Sequence, residues 1–141
     1  VVLAATNTAR KLSKRPVWIR GIDHRIEAHS LGARNLSESS STKIAAEALD
    51  LKNAGAIDFA EIHAPFTHQE VILKNALGFD DSLNLNPSGG ALASNPMMVV
   101  GLTRIGEAAK RLTNGTEKRA IAHATSGPCL QHNLVCLLEA E

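Results

Sequence analysis

A chain of 141 residues suits one domain, and 44% hydrophobic with 21% charged residues is the balance of a soluble globule with a core of its own. A net charge of +1 gives no electrostatic case for nucleic acid or an anionic membrane surface, and three Phe, one Trp and no Tyr exclude a base-stacking platform. No apolar run reaches the roughly 18 residues of a membrane helix, and two cysteines, Cys129 and Cys136, make no disulfide framework, so a reducing, cytoplasmic setting is expected.

In chain order, "VVLAA" (Val1–Ala5) is apolar and β-branched at its start and reads as a strand already under way, from which a piece of a longer protein is expected. Asn7 or Thr8 caps a short helix ending near Lys14. Pro16 then opens "PVWIRGIDHRIEAHS", whose alternation predicts a strand with Val17, Ile19, Gly21 and Asp23 on one face and Trp18, Arg20 and Ile22 on the other. Ser30 to Thr42 is a Ser-rich loop. "TKIAAEALDLKNAG" is a helix capped by Ser41 or Thr42 and stopped by Gly55, with Ile44, Ala48 and Leu51 at helical spacing beside Ala45 and Leu49. A strand follows through about Ile62, and Thr67 with Glu70 forms a capping box for a helix that Gly78 ends. "SLNLN" is a short strand. Pro96 opens a long helix to about Leu112, with the stripe Met98, Leu102, Ile105, Ala109 and Leu112. "KRAIAHAT" is a strand, "SGPC" a turn and "LVCLLE" a last, antiparallel strand. Strands alternating with helices predict a layered α/β domain spanning residues 1–141.

Several residues carry chemistry at these positions. His63 follows a strand in "EIHAPF", where ligands bind in α/β sheets, although a satisfied structural histidine explains it equally. Asn95 before Pro96 is fully explained as a helix cap, and its amide could also donate to a developing oxyanion beside the positive end of a helix. His123 sits in "AIAHATSGP" near the hydroxyls of Thr125 and Ser126, as a general acid or base or as a structural ring. Cys129 would be a nucleophile only with an activating base, which the sequence does not show, and Cys136 reads as buried. The histidines His24, His29, His63, His68, His123 and His132 have no tight metal spacing. "PSGGAL" is followed by no "GK[ST]" and is not GxGxxG, so it is no nucleotide loop, although its Gly89–Gly90 step leaves a bare backbone open to close approach.

Three blocks, "EIHAPFTHQEVILKNALGF", "NPSGGALASNPMMVVGLTRIGEAAKRL" and "AIAHATSGPCLQHNLVCLLE", resemble in order and spacing the C-terminal blocks of the thiolase superfamily across about residues 58 to 139, and "VVLAATNTARKL" resembles the opening of the second thiolase half. Thiolases carry "NEAF" in the first block and the sterol-carrier-protein type "HDCF". "HAPF" here places His63 with the second type. Where thiolases have "GGAxALGHP", this chain has "GGALASNP", so Asn95 replaces the thioester-binding histidine, and His123 stands where the third block supplies a proton-shuttling cysteine, which Cys129 does not. Together these departures resemble thiolase relatives that work with a small zinc-ribbon and OB-fold partner: archaeal acetoacetyl-CoA thiolases, phloroglucinol acetyltransferase and steroid side-chain aldolases. The fold implied is α/β, a thiolase-like C-terminal half with a mixed five-stranded sheet and a buried central helix.

The activity implied by this resemblance is acyl transfer to or from carbon, from a nucleophilic cysteine in an N-terminal half. His63 and Asn95 would donate to the substrate oxygen, His123 would move the proton, and Gly89, Gly90, Ser126 and Gly127 would line the substrate. A CoA thioester or other acyl donor is the implied substrate, with no covalently bound cofactor and no metal. The implied partners are the N-terminal half, a second copy in a homo-oligomer, and a zinc-ribbon/OB-fold subunit, with no nucleic acid and no membrane. The alternative is a non-catalytic acyl- or CoA-binding or assembly subunit.

Overall fold

The computed structural model describes all residues from Val1 to Glu141. In order they form α1 (Thr6–Leu12), β1 (Val17–Ile26), a 3-10 turn at Leu31–Ala33, α2 (Ser40–Ala48), β2 (Phe59–Glu61), α3 (Thr67–Leu77), β3 (Asn84–Leu85), α4 (Gly90–Ala93), α5 (Val100–Asn114), β4 (Arg119–Ser126) and β5 (His132–Ala140). The strands make one five-stranded sheet in the order β1-β5-β4-β2-β3. β1 and β4 run antiparallel to β5, whereas β3, β2 and β4 are mutually parallel, so the sheet is mixed as expected.

Alternation along the strands divides the core in two, because successive side chains leave a strand on opposite faces. Ala120, Ala122, Cys136, Leu138 and Ala140 join Phe59 under α5. Ile121, Val135 and Leu137 join Ala60 and Ile62 on the other face, under α2 and α3. Alanines dominate the α5 side of β4, which lets the helix close on the sheet. A Cβ on Gly101 would meet Ala124 Cβ at 2.5 Å. On the opposite face β1 is kinked between Ile19 and Gly21, and Leu49 fills the space a side chain at Gly21 would need.

The structure changes several sequence expectations. Val1–Ala5 is not a strand: it pairs with nothing and its side chains are exposed. α1 forms, but Ala5 occupies its N-cap and no side chain caps it. α2 ends at Ala48 rather than at Gly55, and it turns Ser41, Thr42, Ala45 and Ala46 inward, leaving Ile44 exposed. Its polar inner face is satisfied by hydroxyl and amide partners. Thr67 and Glu70 make no capping box, because Phe66 is the N-cap and Glu70 instead accepts a hydrogen bond from Asn86 Nδ2 at 2.8 Å. Gly78 does end α3, in the left-handed region with φ 73°.

The largest change is at α5. Pro96 does not open it: residues Gly90–Ala93 form the separate turn of α4, and α5 starts at Val100 with Val99 as N-cap. The buried stripe is Val100, Arg104, Ala108 and Leu112, so Met98 and Leu102, expected inside, are exposed. Ile105 and Ala109, also expected inside, are partly buried against the same core. No helix is long and apolar enough to cross a membrane.

Candidate active site

β2 and β4 are parallel neighbours near the middle of the sheet, and their carboxyl ends are where this kind of sheet places ligands. His63 lies two residues beyond β2, and its Nδ1 accepts a hydrogen bond from the backbone N–H of Thr125 on β4 at 3.2 Å. His123 lies on β4 on the same face as Thr125, its alternate neighbour. Asn95, in the link between α4 and α5, is exposed, and its side chain stands close enough to His63 to favour the protonated ring. Burial acts more strongly, and with the nearby positive charge of Arg104 it holds the His63 pKa below the usual histidine value. The strand ends and the α4–α5 link therefore bring His63, Asn95 and His123 into one neighbourhood.

His123 is wholly enclosed. Its Nε2 is 2.9 Å from Asn133 Oδ1, and its Nδ1 is buried with no partner. Burial pulls its pKa down from 6.5 to about 4, the contact with Asn133 opposes this, and the nearby His63 adds to the lowering. Asn133 is held in turn by the carbonyl of Leu130 at 2.7 Å and by Ser41 Oγ at 2.8 Å, each accepting from Nδ2. Ser39 and Thr42 pair their hydroxyls at 2.7 Å beside them. The polar face of α2 thus packs as the support of His123, a link that only the tertiary structure makes.

The Gly89–Gly90 step is a left-handed turn, with φ 93° and 62°. The room left by the missing side chains is taken by the chain itself: a Cβ would meet Ala93 Cβ at 2.8 Å from Gly89 and Asn86 Cγ at 2.8 Å from Gly90. Asn95 is not the helix cap it was expected to be, which leaves its amide free of a capping bond. Ser126 and Gly127 lie at the exposed β4–β5 turn. There Gly127 has φ 72° and abuts Gln131. Cys129 is exposed in the same turn, and Cys136 is buried under α5 with its thiol pKa pushed up to about 11 by burial. His24 stacks on His132 with ring centroids 6.0 Å apart, with no third ligand gathered around them.

Sequence reasoning missed two supports. One is Asn133. The other is the buried pair of Glu61 and Arg104, 3.1 Å apart, which fastens the turn before Gly89. Glu61 accepts from the Ser88 backbone N–H at 2.9 Å and from its hydroxyl at 2.7 Å, and Arg104 also donates to Ser88 Oγ at 3.0 Å. A carboxylate inside the apolar run "FAEI" was the available signal.

No family model and no curated protein matches this sequence. Among solved structures, the chain is similar to the Bacillus anthracis acetyl-CoA acetyltransferase, with a TM-score of 0.71 and 17% identity over 97% of this chain. It is similar also to human mitochondrial 3-ketoacyl-CoA thiolase, with a TM-score of 0.65 and 20% identity over 98% of this chain. The chain spans 34% of the length of each. At these identities the likeness establishes a thiolase-like fold.

Proposed function

We propose that this chain is the C-terminal half of a thiolase-like acyltransferase that moves an acyl group to or from carbon. The observation that supports this reading is the gathering of His63, Asn95 and His123 at the carboxyl ends of parallel strands. In this reading a cysteine of an N-terminal half attacks a CoA thioester or other acyl donor, and the donor's thiol leaves with a proton. The acceptor carbon then gives its proton to His123 and attacks the acyl-cysteine carbonyl. His63 and Asn95 donate to the oxyanion, which collapses to release the cysteine and the C-acylated product; the reverse sequence cleaves the same bond. Loss of one oxyanion donor typically costs roughly 10²–10³ in rate. Gly89, Gly90, Ser126 and Gly127 would present backbone to the substrate.

The partners proposed are the cysteine-bearing half, a second copy of the assembled protein and a zinc-ribbon/OB-fold subunit. An open apolar surface supports the first. Met97, Met98, Val99 and Leu102 are exposed at the start of α5, and Ile19, Ile22 and Ile26 are exposed on β1.

The test is His123→Ala in the assembled protein, assayed with acyl-CoA and acceptor panels. Turnover is expected to vanish while fold and partner binding remain. Turnover at the wild-type rate would remove His123 from the mechanism. The second reading, a non-catalytic acyl- or CoA-binding or assembly subunit, draws on the complete enclosure of the His123 ring. It predicts acyl-CoA binding without turnover even with a cysteine-bearing half present.

A further inference from the structure

The partners of the two histidines determine which ring nitrogen carries the proton. A carbonyl oxygen can only accept, so the Asn133 atom 2.7 Å from the Leu130 carbonyl is the amide nitrogen. The same nitrogen reaches Ser41 Oγ at 2.8 Å. Asn133 Oδ1 is therefore the atom turned toward His123, 2.9 Å from its Nε2, and an amide oxygen there requires a proton on Nε2. His123 Nδ1 is left as a bare lone pair, buried and without a partner. His63 is fixed from the other side. The Thr125 N–H can only donate, and it points at Nδ1 of His63 from 3.2 Å, so the proton of that neutral ring is on Nε2.

We infer that Asn133 is a positioning residue, which locks His123 in the Nε2–H tautomer so that Nδ1 is the base, while the Thr125 backbone locks His63 in the same tautomer so that Nε2–H is the donor. The two rings share a tautomer and turn opposite ends away from these anchors, a lone pair on His123 and an N–H on His63. This rests on the reading of His123 as proton carrier and His63 as oxyanion donor. With its partner amide in place, His123 takes the acceptor carbon's proton on Nδ1 and stays hydrogen-bonded through Nε2. In the other tautomer Nδ1 would carry an N–H and could accept no proton. The lock is anchored by the first turn of α2, because Ser41 supplies one of the acceptors that orient the Asn133 amide.

The experiment is solid-state nitrogen NMR of the assembled protein with ring-labelled histidine, the two rings being identified by loss of signal in His123→Gln and His63→Gln. In the wild type near neutral pH both rings should show a bare Nδ1 and a protonated Nε2. Asn133→Leu, which removes the acceptor, should move part of the His123 population to Nδ1–H. It should also lower kcat by about 10²-fold with KM little changed, the size of a general-base contribution. A wild-type His123 carrying a proton on Nδ1 overturns the inference, as does an Asn133→Leu ring that stays wholly Nε2–H. The wild-type spectrum needs no variant, so it decides even where Asn133→Leu fails to fold. It also reads the tautomer whatever the activity, so absent turnover beside the expected spectrum would sink only the acyl-transfer reading.

Discussion

His123 has an energetic signature that does not depend on its role. Its pKa falls from 6.5 to about 4 on folding, so between those values the unfolded chain binds more protons than the native one and stability rises with pH. The contribution is complete above about pH 6.5 and is lost as the pH falls toward 4, about 3 kcal/mol in all. The lowered pKa of His63 acts in the same direction. Urea melts at neutral and mildly acid pH should therefore show a steep loss of wild-type stability that His123→Gln flattens, and an equally steep loss in the variant would uncouple the ring from the acid limb. The cysteines give a simpler expectation. A maleimide should modify Cys129 in the native chain and reach Cys136 only after denaturation. The strand-end positions of His63 and His123 were legible in local pattern, whereas Asn95, read as a helix cap, lies in the link between α4 and α5. Asn133 was not legible, since its importance comes from a cross-strand neighbour ten residues away and from hydroxyls on α2.

At the scale of the element, α5 shows where local pattern and tertiary packing part. The expected apolar stripe splits: Met98, ahead of the helix, and Leu102 lie outside, while Ile105, Ala109 and Leu112 pack on the core. The inner stripe carries Arg104, accepted because Glu61 and Ser88 meet it. Breaking a buried ion pair from one side leaves an uncompensated charge, so Arg104→Met should cost roughly 3–5 kcal/mol. Glu61→Gln combined with Arg104→Met should cost less than the two changes summed, because the double variant leaves no lone charge. Chemical denaturation of the four proteins checks this, and strict additivity would deny the coupling. The end of α3 was legible for a physical reason: Gly78 has φ 73° and open space where a side chain would begin, so the turn's demand on the backbone is the whole explanation. Gly78→Ala should cost about 1 kcal/mol through backbone strain alone. The capping box at Thr67 was misread because the same short pattern served another contact, the hydrogen bond between Glu70 and Asn86.

At the scale of the whole molecule, the alternation of strands and helices made the layered α/β class readable, but the exposure of apolar side chains was not readable from periodicity. The core under α2 and α3 is closed, while Ile19, Ile22 and Ile26 on β1 and Leu102 on α5 stand in the open. Val1, Val2 and Leu3 lie exposed as well, with a Val1 methyl 3.5 Å from where a side chain on Gly106 of α5 would begin. Exposed apolar surface of this kind supports the proposal that a partner covers this face. If the cysteine-bearing half is that partner, Ile22→Glu and Leu102→Glu should each leave the circular dichroism of this chain unchanged, since exposed positions move stability by only about 0.5 kcal/mol. The same substitutions should abolish co-purification with the other half, because each buries an unpaired carboxylate in the joint. Glu47→Lys, on α2, serves as the control and should bind normally. Retained association in both apolar-face variants would move the joint elsewhere on the chain, and with it the cysteine that the proposed chemistry requires.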